Sequence, residues 1–123
     1  MVEFQERDID RLLRILDYCD RIDDSVRRFG DALSSFQKDA DYRDSVKMNL
    51  FQIGETVNTL SDDCKEQMGD IPWHRIYGMR NVIAHGYEKV VDERIWETVK
   101  NDLPELRQKI TTSLEDKGID TGL

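Results

Sequence analysis

The sequence predicts an all-α protein: an up-and-down bundle of four to five helices. Three observations carry this. Apolar residues recur at three- and four-residue steps over most of the chain, and no stretch alternates with the period of two that a strand needs. Only seven Gly and two Pro interrupt 123 residues. Charged residues make up 36% and hydrophobic ones 38%, a balance suited to solvated helices around one core. Residues 1–123 therefore read as a single helical domain.

The first helix is drawn by Ile9, Leu12, Leu13, Leu16, Cys19, Ile22, Val26 and Phe29, with Gly30 as its stop. A polar linker follows, with one helical turn expected around Phe36. The second helix runs from about Tyr42 to Leu60 along a seam of Val46, Leu50, Ile53, Val57 and Leu60. Gly54 lies beside that seam, where glycine costs roughly 1 kcal/mol relative to alanine, and it predicts close approach of another backbone.

Pro72 suits the first turn of a third helix, with Ile76, Met79 and Ile83 as its buried stripe and Gly86 as its end. Asp92 is expected to cap a fourth helix, with Val91 and Trp96 in staple positions. Ile95, Val99, Leu103, Leu106, Ile110 and Leu114 continue the apolar face, and Pro104 should kink or split it. The tail from Glu115 is expected to fray.

The chain starts with charge almost at once, so no signal peptide is expected, and no uncharged run reaches the length of a membrane span. A cytoplasmic protein with two reduced thiols, Cys19 and Cys64, is the expectation. No metal is expected either. The two histidines, His74 and His85, lie eleven positions apart, about 16 Å along a continuous helix. The net charge of −8 argues against a surface built to coat nucleic acid. Within residues 73–100, however, Arg75, Arg80, Lys89, Arg94 and Lys100 outnumber Glu88, Asp92, Glu93 and Glu97.

That stretch contains "MRNVIAHGY", residues 79–87. On a helical wheel His74, Gly78, Asn81 and His85 share a face, so Asn81 can reach the His85 imidazole across one turn. Arg80 is about 140° away from His85 on an ideal helix, and the two converge only where the helix ends or distorts. A metal-free Arg and His suit RNA cleavage. Histidine titrates near neutrality and moves protons, while the arginine fork stabilises charge on phosphorus. One His serves poorly as both acid and base, and a two-fold homodimer would supply a second. Spacing alone leaves other readings open: Arg80 paired with an acid on the second helix such as Glu55, and Tyr87 as an aromatic plug.

The longer stretch "IPWHRIYGMRNVIAHGYEKVVDERIWETVKNDLPEL" resembles the HEPN superfamily, and within it the HepT-like toxins. The match includes "IPW", the Arg-x4-His-x-Tyr of "RNVIAHGY", and the downstream "VD", Trp and "DLPEL"; "IGE" at 53–55 fits the second helix. The resemblance implies the HEPN fold, a homodimer, and a metal-independent endoribonuclease that needs no cofactor and acts on RNA. It implies a toxin–antitoxin pair whose partner is an MNT-type nucleotidyltransferase antitoxin. Arg80 and His85 become the catalytic pair, Asn81 the polar residue that orients it, and Tyr87 a tyrosine modified with AMP; Glu55 is a further candidate for orienting Arg80. The alternative is a non-catalytic helical subunit that binds or regulates a nucleotidyltransferase.

Overall fold

The computed structural model describes residues 4–85 and 88–122, with the backbone alone for 88–90. Among the described residues seven α-helices follow in order: α1 (Glu6–Phe29), α2 (Leu33–Lys38), α3 (Ala40–Thr59), α4 (Asp62–Gln67), α5 (Trp73–His85), α6 (Glu88–Glu97) and α7 (Leu103–Asp116). A π-helical turn, Thr98–Asp102, joins α6 to α7. Among the described residues there is no strand, and no helix is long and apolar enough to cross a membrane. The all-α bundle expected from the periodicity is the fold observed.

α1 runs antiparallel to α3. Ser25 meets Ser45 at 3.0 Å near one end, and Arg11 donates to the carbonyl of Thr59 at the other. The predicted seam of α3 is buried throughout, from Val46 to Leu60. It faces Leu12, Ile15, Leu16, Cys19 and Ile22 of α1. α7 closes the other side of α1, burying Leu103, Leu106, Ile110 and Leu114 and pairing Arg107 with Asp20 at 2.8 Å. Gly30 ends α1 at φ +116°, a left-handed value that glycine takes without strain. The turn around Phe36 is α2, and its ring sits edge-on to Tyr42 at 5.2 Å and beside Trp96 at 5.6 Å.

Four details depart from the sequence reading. "SDDCKEQ" forms α4, whose cap Ser61 accepts from the Cys64 N–H at 3.1 Å and donates to the buried Asp8 at 2.6 Å. The tail does not fray at Glu115. Gly118, at φ +76°, folds the chain back so that the Ile119 N–H reaches the Leu114 carbonyl at 3.0 Å, a Schellman closure. Ile83 is half-buried beside its fully buried stripe partners Ile76 and Met79.

The fourth correction is Asp92. It is not a cap, because α6 already begins at Glu88, and its carboxylate is buried inside that helix at 6% exposure. The expected Val91–Trp96 staple falls with it, since both residues sit in the helix interior. An Asp before an apolar run reads as an N-cap unless a neighbouring helix offers cations, and α3 offers Arg43 and Lys47. Pro104 splits the last helical face as expected. With no N–H to donate, it sits in the first turn of α7, directly after the π-helical turn.

Candidate active site

α5 brings the motif to α3 at one point of very close approach. A Cβ built on Gly54 would lie 3.1 Å from the Cβ of Arg80 and 3.6 Å from the carbonyl of Tyr77. The glycine read as a close-approach position thus lets the Arg80 backbone lie against α3. From there the guanidinium spreads over the Phe51 ring, 5.3 Å from its centroid. Its Nε–H donates to the Glu55 carboxylate, and Nη1 donates to Asn81 Oδ1 at 3.4 Å. The Arg80 side chain remains 33% exposed and that of Glu55 44%, so the pair stands at the surface within reach of a ligand.

Phe51 is the contact that spacing did not single out. Its signal is position: four residues before Glu55, it lies on the same face of α3 one turn earlier. A cation over an aromatic face gains roughly 0.5–1 kcal/mol at an exposed site, and the ring also limits the paths the long side chain can take.

His85 is the last residue of α5 and is exposed. Its imidazole forms no hydrogen bond with another described residue, and α5 continues as regular helix up to it. Arg80 and His85 therefore stay on different faces within one protomer. Asn81, also exposed, turns to Arg80 and not to His85. The long Arg80 side chain bends to its neighbour and takes the Asn81 Oδ1 that the wheel had offered to His85. Gly78, on the same exposed face, has nothing within 4 Å of where a Cβ would stand. Gly86, the expected helix end, and Tyr87, the expected AMP acceptor, lie outside the described residues.

Away from this surface, Cys19 and Cys64 are free and buried, and burial pushes both thiols up to about 12. Burial does the same to the Tyr42 phenol, which donates to the Gly30 carbonyl at 3.0 Å. None of these is poised as a nucleophile. Among the described residues no group of three His, Cys, Asp or Glu could hold a metal ion.

The arrangement offers a fixed, surface-facing guanidinium, a carboxylate and an amide that orient it, and an exposed imidazole about 7.5 Å further along the helix axis. Comparison with known proteins identifies a family for the chain. A family profile described as "Ribonuclease HepT-like" matches residues 15–113. A protein of Caldanaerobacter subterraneus subsp. tengcongensis named "Putative RNase TTE0752" is 32% identical over 104 residues, covering 85% of this chain and 91% of its own. "Putative RNase MJ0125" of Methanocaldococcus jannaschii is 31% identical, covering 75% of this chain and 90% of its own. "Probable ribonuclease HepT" of Thermococcus cleftensis is 37% identical over 57 residues, 46% of this chain and 52% of its own. No solved structure matches the chain.

Proposed function

The chain belongs to the HepT-like ribonuclease family of the HEPN superfamily, and from that premise we propose that it is a metal-independent endoribonuclease. The observation that carries this reading is the held Arg80: Glu55 and Phe51 aim its guanidinium outward on the helix that ends in exposed His85. In the proposed reaction a ribose 2′-oxygen bonds to the adjacent phosphorus as the bond from phosphorus to the 5′-oxygen breaks. One imidazole takes the 2′-OH proton, and a second protonates the leaving oxygen. Arg80 neutralises the charge that builds on the phosphoryl oxygens.

A homodimer supplies the second imidazole in this reading, with the cleft between two protomers as the RNA site. It also brings an Arg80 of one copy towards a His85 of the other, which the opposed faces within a single α5 prevent. In the same reading the protein is the toxin of a pair, neutralised by a nucleotidyltransferase that adds AMP to Tyr87. Two positions after His85, an added nucleotide brings bulk and negative charge to the phosphate site.

His85→Ala and Arg80→Ala should abolish both RNA cleavage and growth arrest while the circular dichroism spectrum stays helical. Cleavage by His85→Ala at the wild-type rate would overturn the mechanism. Co-expression with the nucleotidyltransferase should add the mass of one AMP to the wild-type chain and none to Tyr87→Phe. A protein that binds nucleotide but leaves RNA intact at every concentration would point to the partner-subunit reading instead.

A further inference from the structure

We propose that Asp92 is a positioning residue for this site: it pins α6 to α3 and thereby limits where the end of α5, with His85, can stand. The expected loss of activity rests on the nuclease reading above, but the geometry does not.

Asp92 is an expensive residue to bury. Its Oδ1 lies 3.3 Å from Lys47 Nζ without meeting hydrogen-bond geometry, and its Oδ2 lies 4.0 Å from Arg43 Nε. The two cations are only partly buried, at 25% and 27% exposure. Pairs of this kind add little net stability, since apolar groups of the same volume often serve as well or better. What they add is register. Val91 and Ile95 are buried and also seat α6, but apolar attraction is non-directional. A carboxylate beside two cations adds a constraint that depends on register.

α3 in fact holds both flanks of the His85 segment, and by opposite charges. Glu55 takes Arg80 of α5, and Lys47 takes Asp92 of α6. These two anchor points lie eight residues apart, about 12 Å along α3. Exchanging them would set Lys47 against Arg80 and Glu55 against Asp92, so the wrong docking is opposed as well as the right one favoured. Only residues 86 and 87 separate α5 from α6. Three Cα steps of 3.8 Å span at most about 11 Å, and α5 also packs against α6, so a shift of α6 is passed to the end of α5 that carries His85.

The test uses Asp92→Asn, with Lys47→Gln as a second variant that removes the nearer partner. RNA affinity should stay within about twofold, while kcat falls about tenfold to a hundredfold, as expected when a reacting group is displaced by an ångström or less. The double variant should lose no more than the worse single one. The chain has two histidines, so the His85 imidazole signal can be followed by NMR against His74 as reference. It should move in both variants, and Asp92→Glu should restore part of the rate. A wild-type kcat and an unmoved His85 signal in Asp92→Asn overturn the proposal. So does a chain that unfolds on Asp92→Asn while Lys47→Gln is silent in both readouts. If the wild-type chain cuts no RNA, the nuclease reading fails, and the His85 signal still decides the role of Asp92.

Discussion

Gly54 sets how near Arg80 can come to α3, and its substitution separates packing from chemistry. In Gly54→Ala the new methyl would stand 3.1 Å from the Arg80 Cβ, so α5 must give way by a few tenths of an ångström. Alanine gains roughly 1 kcal/mol in helix propensity, which offsets the crowding. Urea unfolding should therefore change by less than about 1 kcal/mol, while RNA cleavage falls about tenfold as the guanidinium shifts. At the same scale, the two buried thiols fix the behaviour in alkali. Each is held protonated to about 12, against an ordinary value near 9. Below 9 both the folded and unfolded chains keep these protons, and the stabilisation is complete. Above 9 the unfolded chain releases them first, so stability falls as pH rises, by up to about 1.4 kcal/mol per pH unit for each thiol. Urea midpoints between pH 8.5 and 10 should show that decline, and it should be shallower in Cys19→Ala/Cys64→Ala.

Among the elements, α4 and α6 show where pattern reading loses its grip. α3 and α7 are long enough for their apolar stripes to declare themselves, and the residues the periodicity names there are buried. In α1, Leu12, Leu16, Cys19 and Ile22 are buried as named, and Ile9, Leu13, Val26 and Phe29 only partly so; the periodicity does not name the fully buried Ile15. α4 has six residues and one buried side chain, Cys64, so no stripe exists to find. Its signal was the cap, Ser61 before two acidic residues. Ser61→Ala should cost about 2–3 kcal/mol, because the helix loses its cap and the buried Asp8 loses one of its two hydrogen bonds. A shift in the urea midpoint at constant slope is the measurement. The site divides the same way. Arg80 with Glu55 and the Gly54 approach were legible, because charge type and a costly glycine mark one face each. The partner of Asn81 was not, because a wheel places Cβ atoms and says nothing of how far an arginine bends. Nor was Asp92, whose cations sit more than forty positions earlier.

At the scale of the whole molecule, one protomer presents Arg80 and His85 on separate faces of a regular helix, and the net charge of −8 gives RNA little general attraction. The first of these is what the proposed two-copy site would resolve. Mixing wild-type protomers with His85→Ala protomers in equal amounts tests this directly. If the cleft needs an imidazole from each copy, only dimers of two wild-type chains cut RNA. Random pairing then leaves roughly a quarter of wild-type cleavage. Sites complete within each protomer would leave about half. Few phosphate contacts should also make the salt dependence of RNA binding shallow.

The guanidinium of Arg80 carries five N–H donors. Glu55 takes one and Asn81 another, which leaves three. A phosphate gripped by two of its oxygens takes two of these. The arginine can therefore receive a substrate without releasing the scaffold, and the helix that carries it need not loosen for the chemistry to begin.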